Sequence, residues 1–272
     1  MRVAKGIGEK NRQLLEVLHQ NGADLFTVAE AGAILGLERT KAKGLLAHFA
    51  ARGWLSRVRQ NAYSAVPLGA GSPSEWRQDP WVVAAKVFAP CYLGGWTACE
   101  HWGLTEQIFR GVVVMTGKRT RHRTVEIQGT PFHLKQVCDM KRFGTNLVWR
   151  GHTQVRVSDP SRTVVDLLDD PRTAGGIRHL ADVLVTYFRE PVRNDGQLLE
   201  YARRLGNRTV FKRLGYLVER CGIGAPALLD ACRVERSKGL TLLDPSAKAG
   251  GPILKRWNLR VNVVVERPKE GG

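Results

Sequence analysis

The chain has 272 residues, enough for one large or two modest domains with real cores, and its 43% hydrophobic content is ordinary for a globular protein. Its charge is not ordinary: 42 Lys and Arg against 25 Asp and Glu give +17 and a pI of about 10.2, an excess that points to a polyanionic partner, usually nucleic acid, though an acidic protein or a membrane surface also fits. No run is long enough to span a bilayer or reads as a signal peptide, and the five cysteines (Cys91, Cys99, Cys138, Cys221, Cys232) form no CxxC pair, which argues against a metal site and for reduced thiols in a cytoplasmic protein.

Residues 1–67 read as one compact unit. "EKNRQLLEVLHQ" is an amphipathic helix with Leu14, Leu15 and Leu18 on one side, stopped at Asn21-Gly22. Thr27 with Glu30 three residues on has capping-box spacing, and the short helix it starts ends at Gly36. In "LERTKAKGLLAHFAARG" the residues Ala42, Leu45, Leu46 and Phe49 form an inward stripe, and Gly53 ends this third helix. "WLSRVRQNAYSAVP" predicts two short strands around a turn near Gln60-Asn61. Three helices and a hairpin in this order describe a winged helix-turn-helix whose third helix enters the major groove. Thr40, Lys43 and Gly44 point away from the apolar stripe, Arg39 and Lys41 flank them, and Gly44 and Ala47 leave that face flat for close approach to bases. Arg57 and Arg59 share one side of the wing strand, with Gln60 at its tip, where they reach phosphate or the minor groove. The competing reading is a small helical protein-binding module with a solvated basic face.

"LGAGSPSEWRQDP" (residues 68–80) reads as a Gly/Ser/Pro-rich linker, and residues 81–272 as a larger C-terminal domain. Trp81–Phe88 is a predicted helix, and Tyr92–Gln107 a turn and then a helix bearing Trp96, His101 and Trp102. Gly111–Lys118, Thr124–Gly129, Pro131–Val137 and Thr153–Ser158 have strand composition. Helices are predicted at Ser161–Leu168, Ile177–Phe188, Gly196–Leu205 and Thr209–Cys221, with a late strand at Leu259–Glu266. The fold class is therefore α+β: an N-terminal winged helix-turn-helix plus a larger mixed α/β C-terminal domain with a helix-rich second half. Residues 1–67 carry ten basic and five acidic side chains and the remainder 32 and 20, so both parts are basic. The densest cluster, "GKRTRHR" (Gly117–Arg123), lies between two predicted strands and is expected to project as a hairpin tip; Lys118, Arg119, Arg121 and Arg123 are candidates for contact with nucleic acid or an acidic partner, and a solvated loop is the alternative.

"SDPSRTVVDLLDDPRTAGG" (Ser158–Gly176) packs four aspartates and two terminal glycines. As a helix it has Ser158 or Asp159 as N-cap, Pro160 at the first position, Val164, Val165, Leu167 and Leu168 as its buried side, and Pro171 as its stop, with Asp169 and Asp170 solvated beyond it. As a catalytic site it is poor. Asp159 and Asp166 are about 10 Å apart by helix rise, wide for a shared metal, and Gly175-Gly176 lacks the Lys and Ser/Thr of a phosphate loop. Arg162 is placed to form an ion pair with either aspartate.

The same stretch, extended to Ile177, resembles a signature segment of the AbiEi family, the antitoxins of type IV toxin–antitoxin systems known from phage abortive infection. "YLGGWTACEHWGLTEQ" is similar to a second family segment, and "RGWLSRVRQNAYSAVP" to the family's wing, which usually has Gly where Asn61-Ala62 stands. The resemblance spans roughly residues 10–180. It implies an N-terminal winged helix that represses its own operon at inverted repeats in promoter DNA. It also implies a C-terminal domain that counteracts a nucleotidyltransferase toxin encoded next door, with direct contact between the two left open. It transfers no catalytic residue, cofactor or metal. Two alternatives stand beside it: an enzyme that modifies or phosphorylates a toxin through Asp159, Asp166 or His101 with a bound nucleotide, and an RNA-binding protein that masks the toxin's substrate, with Trp96, Trp102 and Trp149 stacking bases.

Overall fold

A computed structural model describes residues 8–21, 24–67 and 75–266. Gly22 and residues 68–74 of the expected linker lie outside the described residues.

The N-terminal unit is built as its local signals dictate. Helix α1 (Glu9–Gln20) turns Leu15 and Leu18 inward. Strand β1 (Leu25–Thr27), too short to show a period, leads into α2 (Val28–Leu35), where Thr27 and Glu30 close a full capping box. Gly36 ends α2 in the left-handed conformation, φ +64°. Helix α3 (Arg39–Ala51) buries Ala42, Leu46 and Phe49. Strands β2 (Leu55–Arg59) and β3 (Ala62–Ala65) form the wing, and β1 pairs with β3 to give an antiparallel sheet of order β1-β3-β2. This is a winged helix-turn-helix. At the wing turn Asn61 takes φ +63°, the region glycine favours and asparagine tolerates better than other side chains. The Asn61 carbonyl accepts the Val28 amide at 3.1 Å, tying the turn to the start of α2.

The larger part is a six-stranded mixed sheet with helices on both faces and a helical subdomain beyond. Helix α4 (Pro80–Val87) is capped by Asp79, so Pro80 belongs to the helix and not to the linker. Then come β4 (Cys91–Leu93), α5 (Gly95–His101), β5 (Val112–Thr116), β6 (Thr124–Ile127), β7 (Thr130–Gln136), β8 (Thr145–Arg150) and β9 (Thr153–Ser158). Sheet order is β6-β7-β5-β4-β9-β8, with β5–β7 and β4–β9 parallel and the other pairs antiparallel. One face, with Leu93, Val114, Phe132, Val155 and Val157, packs with Val82 and Val83 of α4 and also with Leu25 and Val58 of the N-terminal unit. The opposite face carries Tyr92, Val113 and Met115 against Trp96.

Helices α6 (Pro160–Asp169), α7 (Ile177–Arg189), α8 (Asp195–Leu205), α9 (Thr209–Arg220) and α10 (Pro226–Glu235) form the helix-rich second half. Val164, Val165, Leu167 and Leu168 of α6 lie in its core. A small sheet of β10 (Thr241–Leu242), β11 (Ile253–Leu254) and β12 (Leu259–Arg260) closes the fold. Three expectations are corrected here. The late strand pairs only at Leu259 and Arg260; beyond them the carbonyls of Val264 and Val265 accept from Arg178 and Arg220 instead of a neighbouring strand. Gly117–Arg123 is not a hairpin tip, because β5 and β6 do not pair: β7 lies between them, and the segment is a crossover. Asp169 and Asp170 are not solvated: Asp169 accepts from Lys135 and Asn207, and Asp170 caps the turn Pro171–Ala174 and binds Arg172.

Candidate nucleic-acid interface

The inward stripe of α3 fixes what its other face presents. With Ala42, Leu46 and Phe49 in the core, Arg39, Thr40, Lys41 and Lys43 are all exposed, as are Gly44 and Ala47. A Cβ built at Gly44 would meet nothing within 4 Å, so the glycine leaves open space on the outer face of the helix, not room for a neighbour inside the protein. In β2 the buried residues are Leu55 and Val58, which leaves Arg57 and Arg59 exposed on either side of Val58, with a register irregularity between them that turns the strand. Gln60 is exposed at the tip. Among the described residues none of Arg39, Lys41, Lys43, Arg57 and Arg59 has a carboxylate partner. These cations are therefore uncompensated, and a chain of phosphates gains the full attraction on meeting them.

The N-terminal unit is fastened to the rest of the chain. The Glu30 carboxylate that completes the α2 capping box takes the Thr27 amide at 2.8 Å on one oxygen and pairs with Lys86 of α4 through the other. Asp24 accepts from the His152 amide at 3.1 Å and the Thr153 hydroxyl at 2.9 Å, both at the β8–β9 turn. Gln128, at the β6–β7 turn, donates to Ser56 of the wing at 2.9 Å and accepts from the Gln78 amide at 3.1 Å. None of these long-range partners carried a local signal in the sequence.

The aspartate-rich stretch resolves into structure. Asp159 is the N-cap of α6: one oxygen accepts the Arg162 amide at 2.8 Å and the other the Tyr201 hydroxyl at 2.9 Å. Asp166 forms a buried pair with Arg162 at 2.9 Å and accepts from Tyr92 at 2.9 Å. Burial pushes the Asp166 carboxyl up, against the pull of the Arg162 guanidinium and of Lys135. Arg162 has no solvent exposure, and its face lies 4.1 Å from the Phe143 ring centroid. His101 sits apart, packed edge-on against Trp81 and Trp102, and no cluster of His, Cys, Asp or Glu suited to a metal occurs among the described residues. Trp96 is buried and Trp102 donates to the Ser158 carbonyl, whereas Trp149 is 64% exposed beside Leu147 on the edge strand β8.

The four residues of the basic crossover do not act alike. Lys118 is drawn back to the Val87 carbonyl at 3.0 Å. Arg121 and Arg123 line a cavity over β7, together with Lys135 and Arg172, while Arg119 lies outside it. All five cysteines are unpaired, and no helix among the described residues is long and apolar enough to cross a membrane.

Residues 12–66 match the family model described as "Transcriptional regulator, AbiEi antitoxin". The match covers the helices and wing described above; the two resembling segments at Tyr92–Gln107 and Ser158–Ile177 lie beyond it. Over nearly its whole length the chain is also similar in fold to the crystal structure of the RV2827C protein from Mycobacterium tuberculosis, with a TM-score of 0.63, 16% identity, and 94% of this chain and 92% of that chain covered. No curated protein matches the chain.

Proposed function

We propose that this chain, whose N-terminal unit is that of an AbiEi antitoxin transcriptional regulator, is the antitoxin of a type IV toxin–antitoxin system and represses its own operon. On this reading α3 enters the major groove of inverted repeats in the promoter, Lys43 and Thr40 read base edges, Arg39 and Lys41 hold phosphates, and Arg57, Arg59 and Gln60 of the wing bind the adjacent backbone or minor groove. The C-terminal part counteracts a nucleotidyltransferase toxin encoded beside it. The observation that carries the DNA reading is the flat, exposed, uncompensated basic face of α3 with two free arginines on the neighbouring wing strand. Footprinting and titration of the full chain on its own promoter and on random duplex, across a salt series, tests it. Binding should favour the promoter and fall steeply with salt, by close to one log unit of affinity per log unit of salt for each phosphate neutralised. Equal binding to both duplexes at physiological salt would remove α3 as a recognition helix.

A further inference from the structure

The crossover Gly117–Arg123 is tied down at both ends, although its cations are exposed. Its first residue donates its amide to the Pro90 carbonyl at 2.8 Å, and its last, Arg123, accepts the Leu134 amide at 2.7 Å. Held at both ends, the segment forms one wall of a cavity of about 560 Å³ whose floor is β7 and whose far wall is the turn after α6. That is within the usual range for a small-molecule pocket, roughly 300–1,000 Å³.

The walls bring cationic and aromatic groups together. Arg121, Arg123, Lys135 and Arg172 are cationic, and the single carboxylate among the lining residues, Asp170, is already held by Arg172 through two hydrogen bonds of 2.8 and 2.9 Å. Lys135 is balanced by Asp169 at 2.5 Å. Arg121 and Arg123 therefore carry the excess charge, with no carboxylate partner among the described residues. Trp96 and His133 add an aromatic surface, and Val113, Leu134, Gln136 and three threonines also line the cavity. Trp96 meets the His133 ring edge-on at 5.0 Å and is stacked on Phe109 behind it at 5.0 Å and 14°. Guanidinium forks suit phosphate oxygens, and flat rings suit a heterocycle.

We infer that this cavity binds a nucleoside phosphate, either free or as the terminal nucleotide of an RNA, with Arg121 and Arg123 on the phosphates and the Trp96–His133 wall beside the base. The site is separate from the DNA-binding face and does not depend on the operon reading: Lys43→Ala should leave it intact.

Calorimetric titration of the full chain with ATP, with inorganic phosphate and with a 5′-phosphorylated tetraribonucleotide tests the site. Saturable one-to-one binding of ATP or the tetranucleotide is expected, the tighter of the two identifying the source of the nucleotide, with inorganic phosphate at least about tenfold weaker because it lacks the ring. Arg121→Ala and Arg123→Ala, both at exposed positions that the fold does not need, should each weaken binding about tenfold. Arg119→Ala, which removes the same charge from the same segment outside the cavity, should change it less than about twofold. An Arg119→Ala loss equal to that of Arg121→Ala would mean a diffuse basic surface and overturn the proposal. So would phosphate binding as well as ATP, or the lack of saturable binding at millimolar nucleotide.

Discussion

Gly44 offers a position at which folding and the proposed recognition of DNA can be separated. A side chain there enters open space, and leaving glycine in a helix interior costs about 0.5–1 kcal/mol relative to alanine. Gly44→Leu is therefore expected to keep or raise the melting temperature while abolishing promoter binding, because the new side chain fills the space the bases would occupy; calorimetric melting beside an electrophoretic shift assay reads both. Lys43→Ala should cost roughly 1–3 kcal/mol on the promoter and little on random DNA if it reads a base edge. Arg57→Ala should weaken both equally and lower the salt slope by about one. In the core, Arg162→Ala strands the buried Asp166 carboxylate and should destabilise the fold by about 3–5 kcal/mol in chemical denaturation. Asp169 acts with the opposite sign to Asp166. Burial pushes its carboxyl up, but Lys135 and Asn207 outweigh that and hold it below the ordinary range. Its stabilisation is thus complete above the unfolded value of about 4 and fades as pH falls through the folded one. Asp169→Asn should cost about 1–3 kcal/mol at pH 7, and that difference should shrink progressively in denaturation curves taken below about pH 4.

At the scale of elements, what was legible tracks how local the signal is. Helix α1 carries an amphipathic period over twelve residues, and α6 carries Asp-Pro at its start and Asp-Asp-Pro at its stop, so both were readable in place. Thr27 and Glu30 set the start of α2 by chemistry confined to four residues. Strands β1 and β4, three residues each, are too short to show alternation. Strand β8 was hidden for another reason: its alternation places Leu147 and Trp149 toward solvent at the sheet edge, the reverse of the usual pattern. Leu259–Glu266 alternates well, yet Val261, Val263 and Val265 are claimed by the helical core, and only two residues pair. The exposed cations of α3 and the wing followed from the apolar stripe alone, whereas the cavity over β7 could not, since it joins residues from α5, β5, β6, β7 and the turn after α6 with those of the crossover. The wing turn offers a test of this local logic. Asn61→Gly should be nearly neutral, while Asn61→Val should lose about 1–2 kcal/mol of stability, because a β-branched residue is strained at φ +63°.

For the whole molecule, both parts are basic, yet their cations stand on different elements, so the two proposed activities should come apart. A chain with Arg39, Lys43, Arg57 and Arg59 all changed to Ala should lose repression in a promoter reporter and still rescue growth in cells expressing the neighbouring toxin. Charge reversal across Lys118, Arg119, Arg121 and Arg123 should do the opposite, since attraction to an acidic face or RNA becomes repulsion. Loss of rescue in the first variant, with the protein folded and at normal abundance, would place neutralisation in the N-terminal unit.

The Glu30 carboxylate is shared between the cap of α2 and Lys86, and Asp24 holds the β8–β9 turn. The helix that positions α3 is thus anchored on the same sheet whose far edge carries the basic cavity. A ligand in the C-terminal part that favours one setting of these contacts changes operator affinity by some factor, and operator DNA must then change the affinity of that ligand by the identical factor. On the proposed function the promoter is, in that sense, an effector of whatever the other half of the molecule holds, and Lys86→Met, which removes one of several ties and leaves each binding surface whole, should weaken that coupling.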